Sequence, residues 1–137
     1  MHTKTRYNVR LAERRGVVVT EGGITELREW YALYLETTSR HGVQAMPLAH
    51  LQTIFDERDG ASSPVVTKLL LARHESVLIA GILVAFAPGR ATYLYGASTR
   101  EHRALMGSYA VQWAAMRIAK AHGCLEYDLF GSAPRPC

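Results

Sequence analysis

The chain has 137 residues, with 16 Lys+Arg against 12 Asp+Glu and a hydrophobic share of 48 %. That length fits one domain with a sizeable core, and the composition excludes a disordered or fibrous chain. No apolar run approaches the roughly 20 residues of a membrane span, and Met1 to Arg15 has no apolar signal region. A cytoplasmic protein without stable membrane insertion is expected.

The charge is unevenly placed. Residues 1–15 carry Lys4, Arg6, Arg10, Arg14 and Arg15 against Glu13 alone, and the other 122 residues hold 11 basic and 11 acidic side chains. The sequence describes a basic arm on a neutral body. Cys124 and Cys137 match no zinc spacing and read as free thiols. The six His show no ligand pairing, so no metal site is expected.

Arg6, Arg10 and Arg14 recur every four residues, and Tyr7 and Leu11 share that spacing, which predicts a short helix with a basic and an apolar stripe. Gly16 closes it, Val17 to Val19 reads as a strand, and Glu21-Gly22-Gly23 as a turn. A helix is predicted from Thr25 to about Arg40, stopped by His41-Gly42, and a second one from Pro47 with Leu48, Leu51, Ile54 and Phe55 inward. Gly60 to Pro64 is a loop. Val65 to Ala72 and Val77 to Ala87 form a strand–turn–strand around Arg73 to Ser76, and Ala91 to Tyr95 is a third strand, with Gly96 taken as the point where the chain turns. The longest helix is predicted from about Arg100 to His122, with a stripe of Leu105, Tyr109, Gln112, Met116 and Ala119. Leu125 to Phe130 is a last strand, followed by a Pro-rich tail.

This order, helix then β-α-α-β-β-β-α-β, resembles the core of GNAT N-acyltransferases. It implies an α/β (α+β) fold, a mixed sheet flanked by helices. A full core of that type continues with another helix and two strands, so C-terminal strands are expected to be missing. The acetyl-CoA enzymes of that group carry a Gln/Arg-x-x-Gly-x-Gly/Ala loop before the long helix. Here Gly96 to Gly107 lacks the paired glycines, which argues against acetyl-CoA.

Six strings resemble the second GNAT-like domain of the FemABX family. They are Arg6 to Val17, Tyr34 to Gly42, Tyr93-Leu94-Tyr95-Gly96-Ala97-Ser98, Gln112-Trp113, Ala119 to Gly123 and Tyr127-Asp128-Leu129-Phe130-Gly131. The resemblance implies transfer of an amino acid from aminoacyl-tRNA onto the stem peptide of a peptidoglycan precursor, UDP-linked or lipid-linked, with no further cofactor. Family members also carry a preceding GNAT-like domain and a later Gly-x-x-x-Phe-Lys motif, and neither is in this sequence. Residues 1–15 are then expected to be a basic linking helix and residues 16–137 a partial GNAT-like domain, with a separately encoded companion domain as a partner. A non-catalytic, partner-binding remnant and an acetyl-CoA-dependent N-acetyltransferase are the competing readings.

Aminolysis of an activated ester needs a held amine, oxyanion donors and cations for polyanionic substrates. Tyr95 and Asp128 are the candidate catalytic residues, and Arg6, Arg10, Tyr93, Arg103, Tyr109 and Tyr127 the candidate substrate-binding residues. Each also has a structural reading: Arg6 and Arg10 as a solvated face, Arg103 as a surface residue, Tyr93, Tyr95 and Tyr109 as core or cleft wall, Asp128 as a cap or salt-bridge partner. Tyr93 and Tyr95 alternate, so they are expected on one face of their strand.

Overall fold

The computed structural model describes residues 3–58, 66–101, 105–121, 126–128 and 135–136, with side chains for 6–55, 66–101 and 105–121. Helix α1 (Thr3–Arg14) leads to β1 (Val17–Gly22), α2 (Ile24–Arg40) and α3 (Leu48–Arg58). Strands β2 (Val66–His74), β3 (Val77–Ala87) and β4 (Arg90–Ser98) follow, then α4 (Gly107–Ala121), β5 (Glu126–Asp128) and β6 (Arg135–Pro136). They form one sheet in the order β1-β2-β3-β4-β5-β6. Pairing is antiparallel except between β4 and β5, where the α4 crossover makes it parallel. The expected α/β fold with a mixed sheet flanked by helices is present.

Several boundaries differ from the sequence reading. Glu21 and Gly22 belong to β1 rather than to a turn, because they pair with Leu70 and Leu69. The turn expected over Arg73 to Ser76 shrinks to Glu75-Ser76, both at positive φ, as a two-residue hairpin requires. Strand β4 does not stop at Gly96 but continues to Ser98, held by Ala80 and Gly81 of β3. The long helix begins at Gly107, not Arg100. Its buried face is Gly107, Ala110, Val111, Ala115 and Ala119, which leaves Tyr109 exposed. Small residues let α4 lie close to the sheet: a Cβ on Gly107 would come within 2.9 Å of Ile79. The tail, read as irregular, contributes β6 against β5. Cys124 and Cys137 lie outside the described residues.

The sheet divides the core in two. On one face, Ala12 of α1 and Ala110, Val111, Ala115 and Ala119 of α4 pack on Leu70, Ala72, Ile82, Val84 and Phe86. On the other, Leu27, Trp30, Leu33 and Tyr34 of α2 and Leu51 of α3 pack on Leu69, Leu71 and Leu83. The fully buried Trp30 ring lies over Gly81, where a Cβ would fall 2.5 Å from its Cδ1. Tyr34 stacks on Trp30 with ring centres 4.9 Å apart. The Tyr31 hydroxyl donates to the Met46 carbonyl at 2.9 Å, and the Met46 N–H donates to the Tyr34 hydroxyl at 3.1 Å, which ties the α2–α3 connection to α2. Arg73 bridges β2 to Glu29 of α2 through two bonds of 2.6 and 2.9 Å. Lys68 pairs with Glu21 at 2.9 Å instead of reaching free into solvent.

Gly81→Ala should destabilise the fold by about 1–3 kcal/mol through overpacking against Trp30. A thermal melt unchanged from wild type would contradict that packing. Glu29 is held below its ordinary value of 4.5, chiefly by the Arg73 hydrogen bond. A lowered carboxylate pKa gives stability that is complete above the unfolded value and is lost as pH falls through the folded one. Glu29→Gln should therefore cost less than about 1 kcal/mol at pH 7, given this pair's exposure, and nothing at pH 2–3. A deficit of equal size at both pH values would contradict the ion pair's role.

Candidate active site

Residues alternate between the faces of a strand, but β4 breaks that alternation at Leu94. Val84 of β3 pairs with Tyr93 and Leu83 with Tyr95, so Leu94 is one residue too many. Before this bulge, Ala91 and Tyr93 pack on the α4 side with Val84 and Phe86. After it, Tyr95 and Ala97 pack on the α2–α3 side with Leu83. The expectation that Tyr93 and Tyr95 share a face is thus overturned. The bulge sends them to opposite sides of the sheet, about two residues apart along it.

The same bulge turns Gly96 toward α4, under the Tyr93 ring. A Cβ on Gly96 would overlap the Tyr93 hydroxyl. Glycine there makes the seat in which this side chain lies. Burial raises the Tyr93 pKa above 10.0, so the hydroxyl is protonated at neutral pH. Tyr95 is also raised, first by burial and then by Tyr34. Its ring meets Tyr34 edge-on at 5.8 Å.

Among the described residues, the pairing of β4 with β5 takes in only Arg90, Ala91 and Thr92 of β4. The C-terminal half of β4 borders a cleft with two adjoining hollows. One, of about 130 Å³, is lined by Thr37, Ile82, Tyr93, Gly96, Ser98, Ser108 and Gln112 among others. The second, of about 140 Å³, shares Ser98 and Ser108 and adds Arg40, Thr99, Met106 and Tyr109. The wall formed by the end of β4 is fastened from α2. The Ser98 N–H donates to the Thr37 hydroxyl at 3.1 Å, the Thr37 hydroxyl is 2.8 Å from the Leu33 carbonyl, and Arg40 Nη2 donates to the Ser98 carbonyl at 3.1 Å. Arg40 Nη1 is buried without a hydrogen-bond partner, 3.9 Å from the Glu36 carboxylate.

The N-terminus of α4 opens into this cleft at Gly107 and Ser108. The first N–H groups of a helix point outward and carry the positive end of its dipole. With Arg40 beside them and no acid in the first turn of α4, the cleft favours negative charge. It therefore combines donors for an anion or oxyanion with a neutral phenol, an arrangement suited to acyl transfer. A larger hollow, of about 640 Å³ between α1, β1 and α4, has apolar walls such as Val9, Val18, Ala110 and Trp113. Among the described residues its lining holds no hydroxyl group, and its charged groups are Glu13, Glu21 and Arg117. No group of three His, Cys, Asp or Glu suited to a metal occurs among the described residues.

The structure brings Tyr93 and Tyr109 of the sequence candidates into the cleft, and puts Tyr95 across the sheet. Arg6 and Arg10 lie on α1, around a separate hollow with Tyr7, Glu13 and Arg14. The backbones of Tyr127 and Asp128 pair with Ala91 and Thr92, at the base of β4. Their side chains and Arg103 lie outside the described residues. Sequence reasoning missed Thr37, Arg40, Ser98 and Ser108 as cleft residues. Arg40 had a signal, since it is the arginine of the Tyr34-to-Gly42 string.

Thr37→Val should cost about 1–3 kcal/mol by orphaning the half-buried Ser98 N–H. Amide exchange at Ser98 should speed up well beyond that in β2 and β3. Equal exchange rates in wild type and variant would contradict the fastening.

The FemAB family's sequence profile matches residues 65–134, which contain the β4 side of the cleft, α4 and β5. The chain is 35 % identical over 68 residues to a lipid II:glycine glycyltransferase of Staphylococcus haemolyticus, covering 49 % of this chain and 16 % of that protein. It is 37 % identical over 62 residues to the lipid II:glycine glycyltransferase of Staphylococcus saprophyticus, covering 45 % and 15 %. The crystal structure of FemX superposes on 98 % of this chain and 49 % of its own, with a TM-score of 0.85 at 18 % identity. A ribosomal-protein-alanine N-acetyltransferase from Brucella melitensis biovar Abortus shares the fold at a TM-score of 0.62 and 13 % identity, covering 88 % and 82 %. The chain thus matches about one sixth of the length of its curated relatives and about half of FemX. With a profile match over half of its residues, this chain belongs to the FemAB family.

Proposed function

We propose that this chain carries the acyl-transfer cleft of an aminoacyltransferase, which moves an amino acid from aminoacyl-tRNA to the stem peptide of a lipid-linked peptidoglycan precursor. One observation supports it most: the stretch matched by the family profile contains the β4 and α4 walls of the cleft, to which α2 adds Thr37 and Arg40. The names of the glycyltransferase relatives support the lipid-linked acceptor over the UDP-linked one, and make glycine the first amino acid to test. A separately encoded companion domain, meeting this unit at the linking helix of residues 1–15, supplies what FemX has beyond the half that this chain matches.

In this reading the stem-peptide amine attacks the ester carbonyl. A C–N bond forms, the ester C–O bond breaks, the ribose hydroxyl of the tRNA leaves with a proton, and the attacking nitrogen gives one up. The first N–H groups of α4 and Arg40 hold the anionic 3′ end of the donor, with Tyr109 at the rim. The Tyr93 hydroxyl, protonated at neutral pH, donates to the departing oxygen. Tyr95 approaches the acceptor from the α2–α3 side of the sheet. Asp128, with Tyr127 beside it, takes the proton from the acceptor amine, and Arg103 adds a cation for phosphate.

The test is a transfer assay with tRNA carrying labelled glycine, a lipid-linked muramyl pentapeptide and its UDP-linked counterpart, with acetyl-CoA in parallel. Label should reach the lipid-linked peptide from tRNA, and Tyr93→Phe should slow it by about 10²-fold or more. Label from acetyl-CoA alone, or no label from tRNA even when the companion domain is added, would overturn the reading.

A further inference from the structure

The basic stripe of α1 has no place in the cleft, and its arginines lie outside the core. Helix α1 is seated by Asn8, Val9 and Ala12, all buried. Arg6, Arg10 and Arg14 stand exposed on its outer side with Tyr7, around an open hollow of about 500 Å³ whose one acid is Glu13. Three arginines at successive turns span about 12 Å along the helix. Arg14 lies 6.0 Å from the Tyr7 ring centre, so the patch combines cations with an exposed aromatic face. The chain beyond residue 15 is electrically balanced, and three arginines against Glu13 give this face +2 of the +4 excess.

We propose that the outer face of α1 is a docking surface for an RNA phosphate backbone, away from the cleft where the acyl group is held. It rests on the reading of aminoacyl-tRNA as donor, and assigns the body of that RNA a place. An evenly spaced row of guanidiniums suits a periodic polyanion, whose neutralisation releases counterions. An anionic membrane fits less well. A helix that lies on a bilayer inserts its apolar face, and here Val9 and Ala12 on that face are buried in the core of the protein.

The experiment measures binding of an unacylated tRNA transcript by fluorescence anisotropy between 50 and 200 mM salt. It compares wild type, an Arg6→Gln/Arg10→Gln/Arg14→Gln variant and, as a control on another helix, Arg28→Gln. Circular dichroism confirms that each variant is folded. Three lost phosphate contacts should reduce the slope of log K against log salt by about 2–3. That equals a roughly 40-fold smaller change in affinity across this salt range. Arg28→Gln should behave as wild type, and an Arg→Lys triple should restore most of the slope.

If the triple variant binds as wild type does, the assignment of α1 is overturned while RNA as the donor's carrier stands. If wild type binds no RNA even at 50 mM salt, both fall. If wild type binds vesicles containing anionic lipid but not RNA, and the triple variant loses this, the face is a membrane contact and the proposal is overturned.

Discussion

Leu94 gives β4 one residue more than β3 has to pair with it, and the geometry of the cleft follows from that mismatch. A regular strand would have placed Tyr93 and Tyr95 on one face and Gly96 on the other. With the bulge, Tyr93 and Gly96 lie together on the α4 side, phenol over glycine, and Tyr95 turns to the aromatic group of Trp30 and Tyr34. A bulge also increases local twist. The described part of β5 follows only the first three residues of β4, below the bulge. Beyond them, among the described residues, the strand borders the cleft, which α4 faces with its positive end.

The end of β4 is also fastened beyond its pairing with β3. Helix α2 holds it from the other face of the sheet. Its last turn presents Thr37 and Arg40 to the backbone of Ser98, and its middle is anchored where Trp30 lies on Gly81. The two cores on either side of the sheet are therefore coupled at the cleft. Helix α4 supplies the donors, α2 fixes the strand that faces them, and the bulge decides which side chains stand between.

Much of the architecture was legible because it depends on pattern. Dense apolar runs at 65–72 and 77–87, split by a polar turn, announce a hairpin, and Pro47 and Gly42 mark helix boundaries. The limits of β4 and α4 were not legible for a physical reason. Gly96 reads as a breaker, yet its lack of a side chain is what lets the strand continue beneath Tyr93. The apolar stripe read from Leu105 to Ala119 followed large residues, whereas α4 is packed through Gly107, Ala110, Val111, Ala115 and Ala119, small enough for the close approach the sheet demands. A bulge leaves no mark in hydrophobic alternation when both neighbours are tyrosine, so the division of Tyr93 from Tyr95 was invisible. Tyr93 and Tyr109, chosen by their type and place, do line the cleft. Arg6 and Arg10 were grouped with them by charge, which says nothing of distance.

A chain of 15.2 kDa is well suited to amide-resolved NMR. The most direct measurement is a titration with a short RNA hairpin ending in a 3′-adenosine that carries glycine through a stable amide. The amide resonances of Ser98, Ser108 and Tyr109 should shift together and saturate with one affinity, and the shifts should be lost in a Gly96→Ala variant whose Tyr93 is forced out of its seat. Shifts confined to other surfaces, with these three amides unmoved at saturation, would contradict the placement of the acyl-transfer site between β4 and α4.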